Sequence, residues 1–423
     1  MLTEELKEKV NRYMINHTDF IKVKDKMTED QLRAFANQAI LEMCQEQHVH
    51  INEDDRFALI RDLVSAVMSL GPLRPLMEDE TVTEIMVNGP NQVYVQRHGK
   101  IELTNIVFDG NKALMHTVQK VMASSGSNKR VDESSPYVDL SLPDGSRANV
   151  IIPPCSALGP VLTIRKFRDD ITTAEDLIKL EELDENIVTL LVAAMKAKLN
   201  VVFCGSTGAG KTTALNVFST HIPEEERIIT IEDTPELRLK QKHVVPLCTK
   251  PPNIEGKGEI SMRDLFINSL RMRPDRVIIG EVRGGEVLDM IESIASGHSG
   301  ALAIVHAETP EDCFSRMVTM MLMTGIQLST EEIHRQIAKA MDLIVHIELF
   351  MDGRRRVTYV TDVHWDDEQR EAKFHHVFKF EQTGKEESGK ILGEWKMDKT
   401  IPSFYHKMEK RMVKLPAGFF KGL

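Results

Sequence analysis

Eight residues, Gly205, Ser206, Thr207, Gly208, Ala209, Gly210, Lys211 and Thr212, separate an apolar run at 200–204 from a helical run that begins at Thr213. A strand, a tight turn and a helix in that order constrain the fold more than any other feature of the chain. Glycines let the backbone curl until successive N–H groups and a helix N-terminus converge on an anion, and G-x4-G-K-T is the pattern that grips phosphate in this way. In such a loop, closed by Thr213, Lys211 reaches the β- and γ-phosphates and Thr212 offers its hydroxyl to Mg²⁺. The competing reading, a glycine-rich turn without a ligand, fits the flanking pattern poorly.

Short apolar runs recur at 227–231, 276–280 and 301–305, with helical or loop segments between them. Runs of this kind are buried parallel strands covered on both faces, which predicts a doubly wound α/β domain around the phosphate loop. In such a sheet the carboxyl ends of the strands line the ligand crevice. Glu232 and Asp233 follow one run and Glu281 follows another, so these acids are expected at the loop. Glu281 is the candidate for orienting or deprotonating an attacking water, and Glu232 or Asp233 would hold Mg²⁺ or its waters. Capping of the following segment is the alternative role for each.

The rest of the chain divides by a change of period. Residues 1–70 read as a helical bundle or docking module, with a Thr28 and Gln31 capping box before Leu32, Phe35, Ala39, Ile40 and Met43, and a second helix carrying Phe57, Ile60, Leu63, Val64 and Val67. Residues 71–166 alternate as strands around an amphipathic helix marked by Leu114, Val118, Val121 and Met122, which predicts a separate, smaller α/β domain. A polar linker is expected at 167–175, the ATPase domain with antiparallel strands past Asp342 at 176–382, and a Gly- and Lys-rich tail at 383–423. The basic run Arg354, Arg355 and Arg356 reads as a solvated hairpin face.

Composition narrows the partners. A formal charge of −11 over 423 residues opposes binding to a nucleic-acid backbone, so none is expected. No window approaches the roughly 18 apolar residues of a spanning helix, and the acidic start is unlike a signal peptide, so membrane contact is expected to be peripheral and through partners. Cys44, Cys155, Cys204, Cys248 and Cys313 are scattered and never in CxxC spacing, which suits reduced cytoplasmic thiols rather than a disulfide framework or zinc site.

Three further stretches carry a family resemblance. The segments at 232–236, 270–283 and 297–307 resemble the Asp box, Walker B and His box of the type II/IV secretion ATPases, in that family's order and spacing after the phosphate loop. The segments at 82–90, 130–136, 142–147 and 162–167 look like the branch that serves tight-adherence (Flp-type) pili, often called CpaF; the resemblance spans roughly residues 60 to 360. The four-cysteine insert common in type II secretion and type IVa pilus-extension ATPases is absent, which disfavours those branches.

What the resemblance implies is a RecA-like ATPase domain preceded by a smaller PAS-like domain, in a cytoplasmic ATPase bound peripherally to the inner membrane through platform proteins. It would be a homo-hexameric ring using ATP and Mg²⁺ to power pilus assembly or secretion. A type IV secretion channel ATPase, a slow nucleotide-gated regulator and a RecA-like nucleic-acid motor are the other readings. Carried residue by residue, Arg147 and Arg165 match positions whose guanidinium groups approach the nucleotide phosphates, and Arg130 is a further candidate; ordinary structural ion pairs are the alternative. His306 and His298 match the His-box histidines that would sense the γ-phosphate or Glu281. The family usually carries hydroxyl residues just before the second histidine, whereas Ala303 and Ile304 precede Val305 and His306 here, which speaks against this box relaying hydrogen bonds as elsewhere.

Overall fold

In a computed structural model, the structure describes residues 29–46, 51, 53, 56–57, 59–60, 71–97, 99–125, 129–167, 171–252 and 256–422. Thr28 of the expected capping box and Leu63, Val64 and Val67 of the expected second helix lie outside these residues. The chain forms two compact units, Met1–Arg168 and Asp169–Leu423. In the first, the helix Glu29–Glu46 buries Ala36, Ala39, Ile40 and Met43, one stripe at helical spacing.

The first unit also holds a six-stranded antiparallel sheet in the order β3-β2-β1-β6-β5-β4. Its strands are β1 (Val82–Asn88), β2 (Val93–Arg97), β3 (Lys100–Leu103), β4 (Tyr137–Ser141), β5 (Arg147–Ile151) and β6 (Val161–Arg165). Alternation places Ile85, Val87, Val93, Val95, Val150, Leu162 and Ile164 on one buried face. Leu114, Val118 and Val121 of the helix Gly110–Ser124 join the same core. At the turn after β1, Gly89 has φ +75° and a Cβ there would stand 2.9 Å from the Leu158 carbonyl oxygen, so both conformation and space call for glycine.

The second unit is built on nine strands, β7 (Val201–Gly205), β8 (Ile228–Glu232), β9 (Val244–Cys248), β10 (Arg276–Ile279), β11 (Leu302–His306), β12 (Leu343–Leu349), β13 (Arg355–Asp366), β14 (Glu371–Lys385) and β15 (Ile391–Met397). Their order is β15-β14-β13-β12-β7-β11-β10-β8-β9. Pairing is parallel from β9 through β12 and antiparallel from β12 through β15. Side chains of β7 alternate between two cores: Val201 and Phe203 pack with the helices Glu185–Lys196 and Lys211–Ser219, while Val202 and Cys204 pack with Glu286–Ala295, Pro310–Met323 and Thr330–Ala340. Helices on both faces explain why these strands are apolar throughout. This is the doubly wound arrangement that the apolar runs imply and the RecA-like one that the resemblance implies.

Two expectations are corrected here. Residues 383–423 are not a tail: β15 pairs with β14, the Trp395 indole N–H donates to the Val357 carbonyl at 2.7 Å, and Phe404, Met408, Phe419 and Phe420 are buried in the second unit's core. Asp362 accepts from the Ser403 N–H and hydroxyl at 2.8 and 2.6 Å, and Lys407 pairs with Asp342 at 2.6 Å. A few widely spaced aromatics do this work, and they carry no period for a sequence reading to detect. Phe420 is fully buried, so Phe420→Ala should lower unfolding stability by about 3–5 kcal/mol. Urea denaturation of the full chain checks this, and a change within ~0.5 kcal/mol contradicts the packing.

Nor is the basic run a solvated face. Arg356 is 2% exposed, bonds Asp352 at 3.1 Å and the Ile391 carbonyl at 3.0 Å, and lies 4.9 Å from the centre of the Phe350 ring. Arg354 pairs with Glu181 at 2.5 Å. Arg355 turns toward the phosphate loop, described next. Partners distant in sequence convert a charge run into buried and bridging arginines.

Candidate functional site

Parallel register brings the candidate residues to one edge of the sheet. His306 at the end of β11 is level with Gly205 at the end of β7, and Ile279 of β10 is level with Ile231 of β8. Gly280 and Glu281 therefore emerge beside Glu232 and Asp233, as strand carboxyl ends should. Gly205 has φ +151°, and a Cβ there would lie 2.1 Å from the Ile347 carbonyl oxygen, so β12 approaches the loop too closely for any side chain. Gly210 is left-handed, φ +97°, immediately before the helix Lys211–Ser219. Arg355 lies over it, Cδ 2.9 Å from the position of an added Cβ, and its Nε donates to the Gly208 carbonyl at 2.8 Å.

Lys211 is 6% exposed; its ammonium donates to the Ser206 carbonyl at 2.6 Å and lies 3.4 Å from His306 Nδ1. His306 Nε2 in turn stands 3.1 Å from Glu281 Oε1. The ring stands directly between lysine and glutamate, although Ala303 and Ile304 speak against a hydrogen-bond relay through this box. Glu281 Oε2 accepts from Arg283 at 2.5 Å, and Arg283 also lies 3.6 Å from Asp233. Burial pushes the Glu281 carboxyl up, but the hydrogen bonds from His306 and Arg283 together with their charge outweigh it and hold the group at about 2. Glu281 is therefore an anion at neutral pH, with each oxygen already accepting one bond.

Glu232 is placed as a brace rather than as an open ligand or catalytic group. It is 3% exposed, and its Oε1 accepts from the backbone N–H of Glu236 at 2.7 Å and of Leu237 at 2.9 Å. That turn carries Glu236 to the loop, where its Oε2 accepts from the Thr212 hydroxyl at 3.1 Å. Asp233 stays at the edge, half-exposed, accepting from the Thr249 hydroxyl at 3.0 Å. Thr212, Asp233 and Glu236 present hard oxygen donors, the set that suits Mg²⁺ shared with phosphate and water. Among the described residues no group of three or more His, Cys, Asp or Glu could hold a metal by itself.

His298 is not part of this constellation. It lies in the loop before β11, at the amino end of a strand whose carboxyl end carries His306, and its Nδ1 is 3.5 Å from the Ser296 hydroxyl. Five strand residues span roughly 13 Å, which places the two histidines at opposite edges of the sheet. Arg147 and Arg165 belong to the first unit, directly paired across β5 and β6, with Glu84 of β1 beside Arg165. They share the face opposite Ala148 and Ile164. Arg130 is exposed in the same unit, just before the bridge between Asp132 and Ser135.

Three residues at the loop were given no role there from sequence: Glu236, Arg283 and Arg355, the last read only as part of a solvated basic run. The first two lie within the motif stretches at 232–236 and 270–283 but off the strand ends, and only their spacing from Thr212 and Glu281 in the folded chain marks them. Arg355 carries no local signal.

Residues 66–382 match the family of the type II/IV secretion system protein. The type IV secretion system protein VirB11 of Brucella suis is 30% identical over 345 residues, covering 74% of this chain and 94% of VirB11. An uncharacterized protein of Methanocaldococcus jannaschii is 41% identical over 246 residues, covering 55% of this chain and 33% of that protein. Among solved structures, the VirB11 ATPase from the Brucella suis type IV secretion system is 28% identical, with a TM-score of 0.38 and coverage of 74% of this chain and 97% of that one.

Proposed function

The chain belongs to the type II/IV secretion system family, and from that premise we propose that it is a Mg²⁺-dependent ATPase powering the assembly of tight-adherence (Flp-type) pili. The observation that carries the ATPase reading is the line of bonded groups at one sheet edge, from Lys211 through His306 to Glu281, beside a phosphate loop whose Thr212 meets Glu236; the pilus branch rests on the resemblance of residues 82–90, 130–136, 142–147 and 162–167. Loop amides from Gly208 to Thr213 and the Lys211 ammonium bind and orient the phosphates. Glu281 orients the attacking water, and His306 fixes Glu281 relative to Lys211. Thr212 and Asp233, with Glu236, would hold Mg²⁺, which supplies charge neutralisation on the phosphate oxygens when bound.

Arg147 and Arg165 are the proposed cations for charge that develops on the γ-phosphate, and Arg130 is a weaker member of that set. A homo-hexamer docked on inner-membrane platform proteins is the proposed working state. Among the described residues no helix is long and apolar enough to cross a membrane, which suits attachment through such partners. The identity with VirB11 favours a type IV secretion channel ATPase equally well, with the same chemistry and a different platform.

Native mass spectrometry of the full chain with a non-hydrolysable ATP analogue and Mg²⁺ tests assembly. Six copies are expected, and a monomer at every concentration contradicts the ring. Stimulation of phosphate release by reconstituted pilus platform proteins, and not by type IV secretion channel components, is the outcome that separates the two readings.

A further inference from the structure

We propose that Arg283 is a positioning residue that parks Glu281, holding it away from the attacking water until the guanidinium lets go. The inference rests on the ATPase reading above and adds to it a brake on the water-orienting step, which the guanidinium must release in each turnover. Arg283 follows the catalytic glutamate by two residues and folds back on it, its NH2 nitrogen 2.5 Å from Glu281 Oε2, while its NH1 nitrogen lies 3.6 Å from Asp233 Oδ2. One guanidinium thus spans the proposed water-orienting acid and a proposed metal-side acid. Its backbone is anchored separately: the Arg283 and Gly284 N–H groups donate to Glu286 Oε1 at 2.6 and 2.8 Å, so the side chain can move without moving the loop.

The two ends of this contact differ in burial. The Arg283 side chain is 62% exposed and that of Glu281 only 23%. An arginine so exposed leaves an ion pair at small cost, since solvent repays most of what the contact supplied. Glu281, in contrast, is fixed from the other side by His306 and has no comparable freedom. Each oxygen keeps a second acceptor site, but the guanidinium on Oε2 neutralises charge there and crowds that site, so Glu281 grips a water less well while Arg283 is in place. Release of Arg283 returns one oxygen to solvent and leaves His306 to hold the carboxylate's orientation. The backbone tie to Glu286 keeps the displaced guanidinium near the site, so it can return after each turnover.

The test compares wild type with Arg283→Ala and Arg283→Lys in steady-state phosphate release by the full chain at saturating Mg-ATP. KM for ATP and Tm are read on the same preparations. Parking predicts that Arg283→Ala raises kcat by about fivefold, the scale of an ion pair of this exposure, with KM and Tm unchanged. Arg283→Lys should fall between, because an ammonium keeps the charge but not the two-sided reach. Adding Glu281→Gln to Arg283→Ala should erase the gain. An unchanged or lowered kcat in Arg283→Ala, with wild type active, overturns the parking role and leaves the ATPase reading intact. Absence of turnover from both wild type and Arg283→Ala overturns both.

Discussion

Lys211→Ala is expected to abolish ATP turnover, lowering kcat by at least about 10²-fold to 10³-fold, the cost of removing one preorganised charge from a phosphate site. Its ammonium sits almost fully buried between the Ser206 carbonyl and His306, so the positive charge is already placed at the mouth of the loop before any nucleotide arrives. Alanine leaves a neutral hole there and frees His306 from one of its two neighbours. Nucleotide affinity should fall with kcat, because the lysine meets phosphate in the ground state and in the transition state. Phosphate release from purified full-length protein checks this. Turnover within twofold of wild type would remove Lys211, and with it the loop, from the mechanism.

Glu281→Gln should separate binding from hydrolysis. The amide is close in shape, its carbonyl oxygen can still accept from His306 or Arg283, and the loop is untouched, so ATP affinity should stay within about threefold. What is lost is the negative charge that orients and polarises water, for which a kcat loss of about 10²-fold to 10⁴-fold is expected. The wild-type carboxyl, held at about 2 by His306 and Arg283 against the opposing effect of burial, is ionised throughout the neutral range. It therefore acts by orientation and charge more than by taking a proton. A variant that loses affinity and kcat together would mean that Glu281 holds the site together rather than working on water.

Much of this site could be read locally. A loop between a strand and a helix is specified by adjacent residues, so 205–213 and the acids at strand ends were legible wherever strand direction alone decides position. His298 was misassigned for the same reason in reverse. It precedes β11 where His306 ends it, and a parallel strand carries its two ends to opposite edges of the sheet. For Glu232 the sequence left metal binding and capping of the following segment both open, and only the fold shows the N–H groups of Glu236 and Leu237 turning back to claim it.

Arg355 and the last forty residues were illegible for a different reason. Arg355 meets Gly208 across a sequence separation of 147 residues, and Phe404, Phe419 and Phe420 reach the second unit's core as scattered aromatics without a period. Tertiary contacts of that range leave no trace in local pattern. The smaller unit was easier, because alternation in β1, β2, β5 and β6 exposes one face and buries the other, which is the pattern a two-residue repeat announces.

The most direct measurement is the identity of the nucleotide retained after incubation with Mg-ATP and rapid desalting, compared between wild type and Glu281→Gln. Wild type should retain ADP, and the variant should retain ATP. ADP on both proteins at equal occupancy, or no nucleotide on either, would contradict a hydrolytic site built from the phosphate loop and Glu281.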